Sequence, residues 1–106
     1  MLGIKITIVR YISDEPQPGI AECQLEDANG RRWSIVEKTA VVGGRGDLNA
    51  QATYPQQGFV ACEIVGPSLD SAGRELIRID TGRHWGVESI EGVTQFDVLP
   101  ESLVER

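Results

Sequence analysis

His84 is the single histidine of the chain, and imidazole is the one side chain that titrates near neutrality without perturbation. It stands between Asp80 and Glu88 and beside Trp85, an order in which either carboxylate could pair with it for general acid–base work. Catalysis of that kind also needs a nucleophile or a metal held by other elements. Ser89, Cys23 and Cys62 lie in no nucleophile motif, so no catalytic residue is assigned, and a small hydrolase centred on His84 ranks below the binding functions considered next. Glu88 and Glu91 invite comparison with the paired carboxylates of glycosidases. A chain of 106 residues leaves little room for the cleft that substrate distortion requires, and both glutamates read better as solvated flanks of a turn.

Metal chemistry finds no pattern. Asp70, Glu75 and Asp80 lack the regular oxygen-ligand spacing of a calcium loop. One histidine and two cysteines cannot make a four-ligand zinc site at short local spacing. Cys23 and Cys62 sit among apolar neighbours on strand-like segments and read as small, reduced core residues. Gly43-Gly44-Arg45-Gly46 offers backbone N–H groups for a phosphate, yet the Lys-Ser or Lys-Thr of a phosphate loop and its following helix are missing. Arg45-Gly46-Asp47 also spells an adhesion tripeptide, a match that arises readily by chance. Neither cofactor nor metal is expected.

Arginine and tryptophan make the case for nucleic acid. Arg31, Arg32 and Trp33, and Arg74, Arg78 and Arg83 with Trp85, would suit stacking on unpaired bases. Against this stands a formal net charge of −6 from 16 acidic and 10 basic residues, a field that repels phosphate backbones. Arg78 alternates with Ile77 and Ile79 and is expected to pair with glutamates on neighbouring strands.

The elements that would position these residues are strands. Ile4, Ile6 and Ile8 alternate with Lys5, Thr7 and Val9, which predicts a strand with the isoleucines on the core. Prolines and glycine in Ser13–Gly19 predict a loop. Ile20–Asp27 and Arg31–Lys38 predict a hairpin closed at Asn29-Gly30, with Trp33 and Ile35 meeting Cys23 and Leu25. A second hairpin is expected from Phe59–Val65 and Leu76–Asp80, its first arm covered on both faces. Further strands are predicted over Val87–Ile90 and Val93–Leu99, joined at Glu91-Gly92, then a helical turn opened by Pro100. Between Val42 and Gly58 lies an irregular excursion, with a short helical turn after Asp47.

The Phe96-x-Val98 strand followed by Pro100-x-x-Leu103-Val104 resembles the last strand of SH3-like barrels, and the chain as a whole is similar to small bacterial proteins, a likeness that supplies no activity. The expected fold is therefore all-β: one domain over 1–106, a small partly open antiparallel barrel, SH3-like or OB-like, of about six strands with a short C-terminal helical turn. No apolar run approaches the roughly 20 residues of a spanning helix, and the N-terminus lacks the order of a secretory signal; a cytoplasmic location away from membranes is the default.

On this reading the chain is a non-enzymatic protein-interaction module, of the acidic immunity or adaptor kind, for a basic protein partner. Arg45, Asp47 and Tyr54 on the excursion, with His84, Trp85 and Glu88, are the expected contact residues. A small-ligand or single-stranded nucleic-acid binder is the alternative, and self-association is compatible with either.

Overall fold

The computed structural model describes residues 1–17, 19–43 and 48–105. Among them lie eight strands in two antiparallel sheets. The first sheet grows around β1 (Leu2–Ser13), whose isoleucine alternation is obeyed: Ile4, Ile6 and Ile8 are buried while Lys5 and Thr7 face water. β2 (Ile20–Glu26) and β3 (Arg32–Lys38) form the expected hairpin, with Cys23 opposite Ile35 and Leu25 opposite Trp33. β2 lies along β1, and β4 (Gln56–Ala61) flanks it on the other side. The order is thus β3-β2-β1-β4, and β8 (Leu103–Glu105) pairs with Leu2–Ile4 beyond the end of β2.

The second sheet is smaller, with β6 (Glu75–Asp80) between β5 (Glu63–Leu69) and β7 (Gln95–Val98). Ile79, Phe96 and Val98 from this sheet share one buried cluster with Ile4, Ile8, Cys23, Leu25 and Ile35 from the first. Against this cluster packs half-buried Trp33, whose ring meets that of Phe96 edge to face, 5.5 Å apart, a favoured aromatic arrangement. The sheets pack together without closing into a continuous barrel.

The central hairpin departs from expectation. Phe59–Val65 is not one arm: it breaks at Cys62, whose N–H donates to the Leu2 carbonyl, so Gln56–Ala61 pairs with β1 and only Glu63–Leu69 pairs with β6. Nor is the arm covered on both faces, since Ile64 and Val65 are exposed. Dense apolar composition here reflects two half-strands serving different sheets.

Val87–Ile90 is not a strand either. It belongs to a loop over 86–94 that follows the one-turn helix α2 (Gly82–Trp85). Thr81, fully buried, donates its hydroxyl to the Val87 carbonyl at 2.8 Å, and the Ser89 hydroxyl accepts the Val93 N–H at 3.0 Å. Hydroxyls that bond local backbone groups offer an alternative to a ladder. The tight turn does fall at Glu91-Gly92, with Gly92 at φ 87°, a conformation glycine adopts without steric cost. The expected C-terminal turn is a 3₁₀ turn over Pro100–Ser102, and a single helical turn, α1 (Thr39–Val42), follows β3. No helix among the described residues is long and apolar enough to cross a membrane.

Candidate functional site

Of the six residues expected at the contact site, Arg45 and Asp47 lie outside the described residues, as does the start of the helical turn expected after Asp47. The limb that returns from them is tied down by Tyr54, whose hydroxyl donates to the Asn49 carbonyl at 2.9 Å and whose ring packs on the core. Burial pushes its pKa upward, with the Asn49 bond opposing. Tyr54 therefore acts as an anchor, its polar tip already engaged.

His84 and Trp85 are brought together on α2, their rings edge to face with centroids 5.1 Å apart. The helix is placed by Asp80, which accepts the Gly82 N–H at 2.7 Å, and it ends at Gly86 in the left-handed region, φ 69°. Among the described residues no hydrogen bond or ion pair engages the imidazole, and Glu88 stands exposed farther along. His84 thus lacks the acceptor that would orient it as a base. Asp80, its sequence neighbour, is committed to Gly82, Gln95 and Arg83. Trp85 is 57% exposed and closes one side of a small cavity of about 270 Å³, walled by Leu2, Val41, Phe59 and Ala61.

The arginines are uniformly occupied. Arg10 pairs with Glu22, Arg31 with Glu91, Arg32 with Glu26, Arg74 with Asp70, Arg78 with Asp97 and Arg83 with Asp80, at 2.9–3.7 Å. Arg78 meets an aspartate on β7 where glutamates were expected, because its register partners are Asp97 on β7 and Gly66 on β5, while Glu63 of β5 stands opposite Asp80. Two parallel bonds, Nε to Oδ1 and Nη2 to Oδ2, join them. The bonds from Arg78 hold the Asp97 carboxyl below its ordinary pKa and raise that of Arg78. Trp33 is equally committed: Asp27 accepts its indole N–H at 3.0 Å, and the Arg31 guanidinium lies 3.7 Å from the ring centroid. Among the described residues no guanidinium–indole platform is left open for a base.

Asp70 organises the β5–β6 turn, accepting the N–H groups of Ala72 and Arg74 and the Arg74 guanidinium at 2.8–2.9 Å. The Arg74 N–H is the chief cause that lowers its pKa. Among the described residues no cluster of three metal-ligating side chains exists. Glu15, Glu37, Glu63, Glu75, Glu88 and Glu101 have no cation partner among the described residues.

One apolar surface was not foreseen. Pro67 pairs opposite Ile77 and Leu69 opposite Glu75, so these four share a face of the hairpin. β7 stops at Val98, one row short, and the chain turns off at Pro100. The result is a groove of about 710 Å³, walled by Pro67, Leu69, Leu76, Ile77 and Pro100 with Glu75 at its lining. Leu69 is 67% exposed there. A signal was present in the sequence, the apolar residues of Ile64–Leu69 interrupted by Gly66-Pro67, but their exposure depends on β5 being the edge strand of its sheet.

Comparison with family models, with curated proteins and with solved structures finds no match to this chain.

Proposed function

We propose that this chain is a non-enzymatic protein-interaction module whose acidic surface receives a basic protein partner. The observation that supports the reading is the pairing of all six described arginines with carboxylates of the same chain. Isolated exposed pairs of this kind add little to stability, but they withdraw positive charge from the surface. What remains is negative: Glu63, Glu75, Glu88 and Glu101 stand without counter-charge among the described residues, and the net charge is −6. Such a field speeds encounter with cationic surfaces and repels phosphate backbones.

The test is in-cell crosslinking followed by titration of each captured protein against salt. Partners are expected to be basic, with affinity falling as the Debye length drops below about 10 Å. A neutral or acidic partner held with salt-independent affinity, or tight salt-resistant binding of single-stranded nucleic acid, would overturn the proposal.

Small-ligand binding is supported by one observation, the cavity beside exposed Trp85. Apolar aromatic probes should then shift Trp85 emission and leave a Trp85→Phe variant unresponsive; an equal response from that variant would remove this second reading.

A further inference from the structure

Sheet edges are where extended partners usually add, and here two are engaged by loop backbone. The β3 edge is met by the Ile90 N–H, which donates to the Ser34 carbonyl at 2.9 Å, and the β7 edge by the Ala28 N–H, which donates to the Asp97 carbonyl at 2.9 Å. α1 lies over the face of β4, where a Cβ on Gly58 would meet the Gly43 carbonyl, and not along its edge. β5 is also an edge strand, yet Val65 is an extra residue in its register and Pro67 lacks an N–H. A bulge and a proline are the devices that blunt an edge against strand addition. Recognition at this end of the molecule must therefore use side chains.

The groove over the β5–β6 hairpin is suited to that. Its walls are apolar, two of them are prolines that present no N–H, and Leu69 and Ile77 stand on one face with Glu75 directly opposite Leu69. Glu75 is exposed and has no cation partner among the described residues, since neighbouring Arg74 is turned to Asp70 and to the Ala28 carbonyl. Pro100 closes the groove, and the next residue, Glu101, is a second exposed carboxylate without a cation among the described residues. Apolar walls flanked by uncompensated carboxylates are complementary to an aliphatic side chain flanked by lysine or arginine.

We propose that this groove takes an aliphatic anchor of a basic partner segment, with Glu75 pairing a lysine or arginine beside the anchor. The proposal rests on the reading of the chain as an acidic interaction module and gives that module its docking point.

Three synthetic peptides serve as probes, alternating leucine with lysine, serine with lysine, and leucine with glutamate, each titrated at one moderate salt concentration while backbone amide shifts are followed. The leucine–lysine peptide is expected to move the amides of Ser68, Leu69, Glu75, Leu76 and Ile77. Leu69→Ser should weaken it about tenfold or more, the affinity equivalent of one buried leucine, and Glu75→Lys should weaken it with the fold unchanged. Both residues are exposed, so both variants should fold. Equal binding of the leucine–glutamate peptide, indifference to Leu69→Ser, or groove shifts that follow protein concentration without peptide, the sign of a second copy, would each overturn the groove assignment. If serine–lysine binds as well as leucine–lysine and moves amides elsewhere, the groove fails while the acidic module stands. If neither lysine peptide binds, both fail.

Discussion

Ile4, Ile6 and Ile8 of β1 and Ile64, Val65 and Leu69 of β5 are similar side chains on strands of the same kind, yet the first three are buried and the last three are 41–67% exposed. β1 has neighbours on both sides and a second sheet over its inner face. β5 is an edge strand, and its far half runs past the end of β7. An aliphatic residue is core only where another layer reaches it. Ile4, Ile6 and Ile8 are committed to folding, although the first sheet also exposes Ile12 and Val36, whereas β5 leaves most of its aliphatic surface available.

Core truncation should separate the two sheets most sharply. Ile4→Ala or Ile35→Ala, each at a fully buried site, should cost about 2–5 kcal/mol in urea unfolding. A loss no larger than that of a β5 variant would break the distinction.

Gly58→Ala should cost roughly 1–3 kcal/mol through overpacking. Its new Cβ would lie 2.7 Å from Ile8 Cδ1 and 2.9 Å from the Gly43 carbonyl oxygen, and backbone cannot step aside as a side-chain end can. Unchanged stability in the Gly58→Ala variant would show that the α1–β4 contact is loose.

Titration sharpens the contrast from another side. Burial pushes the thiols of Cys23 and Cys62 up to about 12 and about 11 from 9.0. Both favour the neutral form when folded, so their contribution is complete below pH 9 and is lost as pH rises toward 11–12. Cys23→Ala should flatten that alkaline decline. Asp97 and Asp70, in the second sheet and its turn, have lowered pKa values, from the Arg78 side chain and the Arg74 N–H respectively. Their contribution is present above the ordinary carboxylate range and fades as pH falls through their lowered values. Thermal unfolding across pH should show both limbs, with Arg78→Ala reducing the acid one and sparing the alkaline one.

Smallest of all, Ile64→Ala and Leu69→Ser should stay within about 0.5 kcal/mol of the parent. A larger loss in denaturant unfolding would mean that β5 contributes to the core after all.

β1, β2 and β3 of the first sheet were legible in the sequence because they alternate and their hairpin turn carries Asn29-Gly30, and even the pairing of Leu25 with Trp33 follows from the turn; β4 and β8, read as part of the central hairpin and of a helical turn, were not. The second was legible only in outline. Nothing local marks Cys62 as the point where the chain changes sheets, since that depends on its N–H finding Leu2 sixty residues back. Ser89 looks like an ordinary strand residue until its hydroxyl and that of Thr81 are seen to bond the backbone of the segment. At the candidate site, Trp85 and His84 stood out by type, and α2 does bring them together. The groove residues did not stand out, because the exposure of Leu69 follows from β5 being the edge strand of its sheet, which no local pattern marks.

The pairing of β1 with β2, β4 and β8 bears on how quickly the chain reaches its final form. The central strand is the earliest in sequence, and its last partner, Leu103–Glu105, joins Leu2–Ile4 across about a hundred residues. Loop closure over such separations must precede the contacts that reward it, which raises the barrier for sheets of this kind. The β5–β6 hairpin closes through the five-residue turn around Asp70 and Gly73 and requires no such search. Refolding should therefore be gated by β1, with core substitutions there slowing the rate and hairpin substitutions leaving it nearly unchanged, a division that stopped-flow fluorescence of Trp33 can read directly.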